Sequence, residues 1–389
     1  MSDNRTVFGQ IIDFLSYDDF RVCARRYAGN KGVRRFSCWE QFLAMAFAQL
    51  THRESLRDIE VSLAAHRKHL YRAGFRSSVK RSTLANANEN RDWRIFADFA
   101  QTLIRRARPL YADDDLGLDL DATVYALDAT TIDLCLSLFP WARSRHGHGG
   151  VKLHTMIDLH GSIPVFIDIT HDLVPEVLVL DRIVPHPGSY IVMDRGYIDF
   201  LRLYRLNQAL AFFVIRARQD LHFRRRYSHL VDKSTGLRSD QTIVLTGARS
   251  SKRYPVPLRR ISYYSQDTNK DFIFLTNDFL LPALTVAGIY HERWQVELFF
   301  KWIKQHLRIK HFFGTSPNSV KTQIWISVAV YVLIAIIKKL LHLPHSLYTI
   351  LQILSTTLFE QTPIQLVFQR YQENAGVTPP SNQLILFEI

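Results

Sequence analysis

The order of strand-like and helix-like segments between residues 124 and 218 is the sequence feature that most limits the possible folds. Three segments rich in β-branched and apolar residues come first, at 124–134, 151–161 and 162–172. Helix-like and strand-like segments then alternate, at 174–184, 189–194, 197–208 and 211–218. Tight connections between the first three strands predict an antiparallel meander, and the alternation that follows predicts parallel strands joined by crossover helices.

Helical patterns precede this region. Residues 1–110 are predicted to be all-helical, with periodic segments at 36–50, 55–74 and 77–107. Ser82 or Thr83 could cap a helix in the last segment, and two short helices joined by a basic turn are compatible with a helix-turn-helix that reads DNA. A helical bundle with a basic surface would show the same pattern. We predict a helical DNA-binding domain here.

The rest of the chain completes an α/β fold class. Strand patterns return between residues 219 and about 280, separated by loops rich in Arg, Lys, Ser and Gly, and we interpret this block as a β-rich insertion. Two apolar helices are expected between residues 316 and about 370. The predicted division is 1–110, helical domain; 120–218, core, first part; 219–282, β-rich insertion; 283–340, core, last part; and 341–389, C-terminal helical region and tail.

The segment YHERWQVELFFKWIK at 290–304 carries a row of polar side chains. On a helix of 3.6 residues per turn, six of them fall within an arc of about 100°. They are Tyr290, Arg293, Trp294, Glu297, Lys301 and Lys304. The neighbouring face is apolar, as in a helix anchored on a core. An ordinary amphipathic helix with solvated ion pairs has the same pattern, so only the rest of the chain can decide between the two interpretations.

The charge of the chain points to a polyanionic partner. Its net charge is +13 and its pI about 9.7, and a basic globular protein attracts nucleic acid without any specific contact. Residues 1–110 hold 20 Lys or Arg against 11 Asp or Glu, so the first third carries 9 of the 13 excess charges. A bias towards solubility would produce a similar balance.

Cysteine usage and hydropathy bear on the compartment. Cys23, Cys38 and Cys135 have neither an even count nor zinc-ligand spacing, which favours a reducing compartment. The N-terminal residues lack the pattern of a signal peptide. The longest apolar run, at 324–337, has 14 residues, fewer than the roughly 18 to 20 that a membrane span needs, so we expect a buried core helix and no membrane.

Three carboxylates lie where chemistry is possible. Asp128 is inside an apolar strand, where an acid is costly to bury unless it is paired or binds a metal. Asp194 follows the apolar run YIVM, at the C-terminal end of a predicted parallel strand, and Glu297 lies on the later helix. Carboxylates converging from two strands and a helix would suit Mg²⁺. Each Asp alone is more often a turn former or a helix cap.

This arrangement resembles a known family. The strand order, with acids on the first strand, after the fourth strand and on a later helix, resembles the RNase H-like fold of DDE transposases. The string Tyr290-x2-Arg293-x3-Glu297-x6-Lys304 is similar to the YREK signature of the insertion-sequence-four family of bacterial cut-and-paste transposases, and Trp294 agrees with its members. The resemblance covers residues from about 120 to 340, and the β-rich insertion falls between the second and third acids as in that family.

The resemblance implies a DNA transposase that is an Mg²⁺-dependent polynucleotidyl transferase and endonuclease. Asp128, Asp194 and Glu297 would hold two Mg²⁺ ions, with Mn²⁺ as a substitute, about 3.5 to 4 Å apart. The family nicks the 3′ end of its element, forms and resolves a hairpin, and joins the end to target DNA. Two ends must be brought together, so a homodimer acting on double-stranded DNA is expected, in the bacterial cytoplasm at the nucleoid.

DNA contacts are expected around these acids. Tyr290, Arg293 and Lys304 would bind phosphates beside the scissile bond, which explains the polar face of their helix. The other expected contacts are Trp294, Lys301, Lys152, His154 and Arg195. In the family an aromatic residue of the insertion receives a flipped base, for which the candidates are Tyr254, Tyr263, Tyr264 and Phe272.

Other interpretations stay open. A domesticated transposase would bind specific DNA without cleaving it, an RNase H-like nuclease would cleave without joining ends, and a glycosidase could also use paired acids. Asp133 lies five residues after Asp128 and points to the opposite face of the sheet, and the family pattern favours Asp128 as the first acid. His146, His148 and His154 have the spacing of a possible metal cluster, although a solvated turn explains them equally.

Overall fold

The computed structural model describes residues 5–142, 149–306 and 312–374. Within them the fold is mixed α/β, as the strand order predicts, with a nine-stranded sheet and helices before and after it in the chain. The chain forms two compact units. One is Tyr111–Lys304, which contains the sheet, and the other is Met1–Leu110 together with Gln305–Ile389, which is helical where it is described.

The elements are numbered along the chain. The helices are α1 (Val7–Ile12), α2 (Tyr17–Arg26), α3 (Cys38–Leu50), α4 (Leu56–Ala65), α5 (Arg67–Leu70), α6 (Arg81–Asn90), α7 (Arg94–Tyr111), α8 (Phe200–Gln208), α9 (Ser250–Arg253), α10 (Ala283–Glu292), α11 (Trp294–Lys301), α12 (Pro317–Leu340), α13 (Leu347–Thr357) and α14 (Ile364–Asn374). The strands are β1 (Val124–Leu134), β2 (Gly149–Asp158), β3 (Ile163–His171), β4 (Tyr190–Met193), β5 (Phe212–Arg216), β6 (Phe223–His229), β7 (Leu237–Leu245), β8 (Leu258–Ser265) and β9 (Lys270–Thr276). Short 3₁₀-helices cover Glu176–Asp181, Arg195–Tyr197 and Lys233–Thr235, and a π-helix covers Trp302–His306.

The sheet has the strand order β3-β2-β1-β4-β5-β9-β8-β7-β6. β1, β2 and β3 pair antiparallel, while β4 pairs parallel with both β1 and β5, so the meander and the parallel strands are both confirmed. The β-rich insertion continues this sheet, because β9 returns to pair antiparallel with β5. The hydrogen bonds between β5 and β9 join residues that are far apart in the sequence. No local sequence pattern therefore predicts that the insertion belongs to the same sheet.

The two faces of the central strands are covered by different elements. Alternate residues of β1, β4 and β5 belong to one buried apolar cluster, which also includes Leu203 and Leu206 of α8. α10 packs on β4 and β5, and α11 packs on β1 and β2, through buried side chains such as Val286, Ile289 and Val296. The central strands are therefore buried on both sides, which explains their continuous apolar sequences.

The helical unit contains α12, which runs through the predicted core helix. Ser316 caps it by accepting a hydrogen bond from the Ser319 N–H, and Pro317 occupies its first turn, where the missing N–H costs nothing. The helix is long and apolar enough to cross a membrane, but 94% of its most apolar window is buried against the rest of the protein. Such burial is typical of the core helix of a soluble protein, and α12 packs against α3 and α6.

Several predicted segments are divided in the structure. The segment 55–74 becomes α4 and α5, and the segment 77–107 becomes α6 and α7, because Arg91 has an extended backbone. The expectation that Ser82 or Thr83 caps a helix is wrong: α6 begins earlier, after Lys80, and has no side-chain cap. Three helices, rather than two, lie between residues 317 and 374.

The predicted helix over 290–304 is also divided. Backbone bonds of the 3₁₀ type, from Arg293 N–H to Tyr290 O and from Val296 N–H to Arg293 O, separate α10 from α11. After Lys301 the chain continues as a π-helix. The compact units divide the chain after Lys304, whereas the predicted core continues to residue 340. The predicted domain boundaries, and the function assigned to each domain, stay a prediction.

Candidate active site

Two of the predicted acids follow directly after paired residues of neighbouring strands. Leu127 of β1 pairs with Met193 of β4 in the parallel ladder, and Asp128 and Asp194 are the next residues on the two chains. Neighbouring strands are about 4.8 Å apart, so the two acids are brought together at the carboxyl end of β4. Asp194 also has the ordinary role of a cap, because its Oδ1 accepts a 2.7 Å hydrogen bond from the Gly196 N–H.

Asp128 is a largely buried carboxylate. Its Oδ2 accepts a 2.8 Å hydrogen bond from Arg293 Nη1, and its Oδ1 accepts one from the Ala129 N–H. The pKa of Asp128 is raised to about 6, mainly by burial and to a smaller extent by the charges of Asp194 and Glu297, while Arg293 and the Ala129 N–H oppose the rise. Burial therefore disfavours the charge of Asp128 even though Arg293 lies beside it.

Glu297 reaches the same guanidinium from α11. Arg293 Nη2 donates a 2.6 Å hydrogen bond to Glu297 Oε1, so one side chain bridges the acid of a strand and the acid of a helix. The Arg293 side chain is 16% exposed, against 57% for Glu297. Burial disfavours the charge of Arg293, but Asp128, Tyr290 and Glu297 outweigh that effect and raise its pKa. The sequence pattern predicted these residues on one face and did not predict the bridge.

Tyr290 connects the acids to an aromatic group on β9. Its ring centroid is 4.7 Å from that of Phe274 and 6.2 Å from that of Phe272, and the Arg293 guanidinium carbon is 5.7 Å from the Tyr290 ring. Burial raises the pKa of Tyr290, so its hydroxyl stays a proton donor at neutral pH. The guanidinium carbon of Arg216, at the end of β5, lies 5.0 Å from the Phe272 ring centroid.

Arg216 and Tyr197 are two site residues that sequence reasoning missed. Ile215 pairs with Met193, which places Arg216 beside Asp194 at the same sheet edge. Tyr197 is fully buried, its hydroxyl has no hydrogen-bond partner among the described residues, and burial and then the charge of Asp128 raise its pKa. The available signals were the position of Arg216 after an apolar strand and that of Tyr197 three residues after Asp194.

Lys152 and His154 have protein partners in the structure. Lys152 Nζ lies 3.3 Å from the Val174 carbonyl oxygen and 3.5 Å from a carboxylate oxygen of Glu176. His154 is 1% exposed, and its Nε2 is 2.9 Å from Thr170 Oγ1. Burial lowers the pKa of His154 to about 4, so the ring is neutral at neutral pH. As placed, His154 does not reach the surface.

The other predicted DNA contacts lie closer to solvent. Arg195 and Lys301 are exposed, and Trp294 is 37% exposed. Lys304 is half-buried in the π-helix. His146 and His148 lie outside the described residues.

The insertion aromatics differ in their availability. Tyr254 is 1% exposed and packs edge-on against Tyr204, with ring centroids 5.5 Å apart, so it cannot receive a base without unfolding its surroundings. Tyr263, Tyr264 and Phe272 are half-buried. Of these three, Phe272 lies near the predicted acids, because its ring contacts that of Tyr290.

The donor set suits a hard divalent cation. Asp128, Asp194 and Glu297 supply carboxylate oxygens, which Mg²⁺ and Mn²⁺ prefer, and burial, which raises the pKa of Asp128, disfavours its charge in a way that a bound cation would oppose. In residues 5–142, 149–306 and 312–374 no three potential ligand side chains are already grouped as a metal site. Arg293 lies between two of the three acids and donates a hydrogen bond to one oxygen of each.

Comparisons with known proteins agree with these features. A family described as a transposase DDE domain matches residues 119–333, and a domain of unknown function matches residues 3–76. A protein of Sinorhizobium fredii named as a transposase is 29% identical over 73% of this chain and 79% of its own length. A Geobacillus stearothermophilus protein named as a transposase for an insertion sequence element is 31% identical over 54% of this chain and 55% of its own length. A Synechocystis protein named in the same way is 24% identical over 67% and 72% of the two chains.

One solved structure is also similar. It is the piggyBac transposase synaptic complex with hairpin DNA, with a TM-score of 0.46, 11% sequence identity, and coverage of 95% of this chain and 82% of that one. A similarity at this level supports no conclusion about the site.

Proposed function

Because the chain belongs to the family of transposases with a DDE domain, whose members act on DNA, we propose that it moves an insertion sequence by a cut-and-paste route. The proposal includes an RNase H-like core and membership of the insertion-sequence-four group. It also includes action as a homodimer on the two ends of the element, in the bacterial cytoplasm at the nucleoid. The helical region 1–110 would supply recognition of the ends.

One observation carries this proposal. Asp128 and Asp194 follow paired residues of adjacent parallel strands, and a helix brings Glu297 to the guanidinium that also holds Asp128. In support of a common site, the charges of Asp194 and Glu297 both act on the carboxylate of Asp128, although the three residues come from distant parts of the chain. Acids that served only as surface charges or turn formers would not need a shared, largely buried partner.

The three acids would hold divalent cations and so position phosphodiester chemistry. Bound Mg²⁺, or Mn²⁺ in its place, supplies activation of the attacking oxygen and stabilisation of the leaving oxygen. The protein's own contribution is positional: Asp128 and Asp194 come from rigid strands, and Glu297 comes from a helix packed on β1 and β2. No protein side chain needs to become a covalent nucleophile in such a reaction.

The proposed reaction proceeds through a DNA hairpin. Water first attacks the phosphodiester at the end of the element, the freed 3′-hydroxyl attacks the opposite strand, water reopens the hairpin, and the 3′-hydroxyl then joins target DNA. Tyr290 would donate its hydroxyl to a phosphate, and Phe272 is the aromatic residue best placed to receive a flipped base, because its ring meets both Tyr290 and Arg216.

The remaining cationic and aromatic groups would follow the DNA backbone. Arg195 and Lys301 are exposed on the elements that carry Asp194 and Glu297, and Trp294 offers a surface on which a base or sugar can stack. Lys304 lies two turns after Glu297. Lys152 would need to leave Glu176 before it could bind a phosphate.

A cleavage assay tests the proposal. The full chain is mixed with a labelled duplex that carries the end of its own element, in Mg²⁺ or in EDTA, and the products are separated on a denaturing gel. We expect metal-dependent nicking followed by a hairpin band, both absent from Glu297→Gln and Asp194→Asn. The amide variants keep the shape of each side chain and remove its charge.

Asp133→Asn is the matched control. Asp133 lies on the same strand as Asp128, is exposed, and points to the opposite face, so its amide variant should nick DNA as the natural protein does. Loss of nicking in this variant, with nicking kept in Asp128→Asn, would show that the first acid is wrongly assigned. Binding to the ends without cleavage in Mg²⁺ or Mn²⁺ would instead favour a DNA-binding protein without catalytic activity.

A further inference from the structure

Arg293 occupies the position between two acids of the site. Its Nη1 is 2.8 Å from Asp128 Oδ2 and its Nη2 is 2.6 Å from Glu297 Oε1. The side chains of Arg293 and Asp128 are 16% and 18% exposed, so this ion pair is largely shielded from water. Glu297 is 57% exposed, so the guanidinium matters most for Asp128, whose charge would be left largely buried without a partner.

The guanidinium and a divalent cation would compete for these oxygens. Asp128 Oδ2 and Glu297 Oε1 are both engaged in short, charge-assisted hydrogen bonds with Arg293. A cation bound by the same two carboxylates would meet the positive guanidinium at close range, which is strongly unfavourable away from bulk water. Binding of one therefore opposes binding of the other.

We propose that Arg293 is an internal counter-ion that holds Asp128 and Glu297 together in the metal-free protein and leaves them when a divalent cation binds. The inference rests on the proposed function, which supplies the cation. Arg293 lies at the junction of α10 and α11, where 3₁₀-type bonds replace the regular helical ladder. Its guanidinium carbon also lies 5.7 Å from the centroid of the Tyr290 ring.

Once it is released from the carboxylates, Arg293 can also contact DNA. Its planar guanidinium, freed from the carboxylates, can bind a phosphate of the DNA through two parallel hydrogen bonds. The cation would then strengthen the contact of Arg293 with DNA, and by linkage DNA would strengthen binding of the cation. The one side chain thus couples assembly of the metal site to capture of the substrate.

Direct measurement of Mn²⁺ binding tests the inference without catalysis. Titration calorimetry or Mn²⁺ paramagnetic resonance is applied to the DNA-free full chain, to Arg293→Gln, and to Arg216→Gln as the matched control. Arg216 lies beside Asp194 and carries the same charge, while its guanidinium stacks on Phe272. We expect Arg293→Gln to bind Mn²⁺ about tenfold more tightly than the natural protein, within the usual range of coupling between sites, and Arg216→Gln to change affinity far less.

A gain of affinity separates this role from structural damage, which would weaken binding. Equal or weaker binding by Arg293→Gln would overturn the inference, and so would equal gains in both variants, because the effect would then be a general one of charge. Should Arg293→Gln fail to fold, Arg293→Lys keeps the charge but cannot bridge two acids with a planar fork, and its Mn²⁺ affinity should also exceed that of the natural protein. An unchanged affinity in Arg293→Lys would count against the proposal.

DNA affinity gives a second readout. Arg293→Gln should lose affinity for the end duplex in Mn²⁺ more than in EDTA, because the natural arginine is released only when the cation binds. Equal losses in the two buffers would contradict the release. If the natural protein cleaves DNA but neither affinity behaves as stated, only this inference fails, whereas absence of both Mn²⁺ binding and cleavage would remove the proposed function as well.

Discussion

Asp128→Asn is expected to stabilise the metal-free protein at neutral pH while it abolishes cleavage. Burial raises the pKa of the Asp128 carboxyl from 3.8 to about 6 in the folded protein, whereas the unfolded chain keeps an ordinary value. The folded state therefore binds this proton more tightly than the unfolded state does. Linkage then requires that the stability contribution of Asp128 falls as the pH rises from about 4 to about 6.

The magnitude follows from the difference between the two pKa values. A difference of about two corresponds to about 3 kcal/mol in the free energy of unfolding, present as a cost above pH 6 and absent below pH 4. Asparagine has a similar shape and no charge at any of these pH values. Part of this cost is already present at pH 4.5, which lies above the unfolded pKa, so the stability of Asp128→Asn relative to the natural protein should rise by about 2 kcal/mol between pH 4.5 and pH 7.5.

Urea titrations in EDTA at pH 4.5, 6 and 7.5 measure this change, with Asp133→Asn as the control. Asp133 lies on the same strand and is exposed, so its replacement should leave the pH dependence unchanged. If Asp128→Asn were less stable than the natural protein at pH 7.5, the attraction between Asp128 and Arg293 would outweigh the cost of burial. The reasoning about the charge of this site would then be refuted.

Three further predictions concern the insertion and its junction with the core. Tyr254→Ala should lower the free energy of unfolding in urea titrations by about 3 to 5 kcal/mol, because it opens a cavity. Tyr254→Phe should lower it by less than about 1 kcal/mol, since the buried hydroxyl has no partner in the described part of the chain. Arg259→Ala and Asp240→Ala should each lower the free energy of unfolding by about 3 to 5 kcal/mol, because each leaves its 7% exposed partner as a buried, unpaired charge. A double-mutant cycle should show that the two losses are not additive. Phe272→Ala should lower the yield of hairpin without lowering the first nick, whereas Tyr264→Ala should leave both unchanged; a loss of nicking in Phe272→Ala would contradict a role confined to the hairpin.

Local sequence patterns predicted the central elements well. The strand 124–134 matches β1 in both bounds, because β-branched and apolar residues are bounded by turn residues at each end. The helix 197–208 was predicted three residues too early, since Asp199 caps it through the Leu201 and Arg202 N–H groups. Parallel strands in the second half of this region were predicted from the alternation of elements, and β4 and β5 pair in this way, whereas the parallel pairing of β1 with β4 was not predicted.

Patterns at helix ends were less informative. Ser82 and Thr83 are good capping residues, yet α6 begins before them, because tertiary packing can outweigh a local preference. The division at Arg293 is also invisible in the sequence, which continues a helical periodicity through that residue. Ends of elements depend on a few hydrogen bonds whose partners lie elsewhere in the fold.

The sequence by itself indicated which residues are candidates for the chemistry. Asp128 was chosen because an acid inside an apolar strand is costly, Asp194 because it ends a predicted parallel strand, and Glu297 because its spacing from Arg293 and Lys304 resembles a family signature. Only the tertiary structure decided that Arg293 joins two of these acids, that His154 is buried, and that Arg216 and Tyr197 belong to the same site. The reason is physical: periodicity sets the face on which a side chain lies, while burial and charge pairing depend on strands and helices that the chain brings together from more than 160 positions apart.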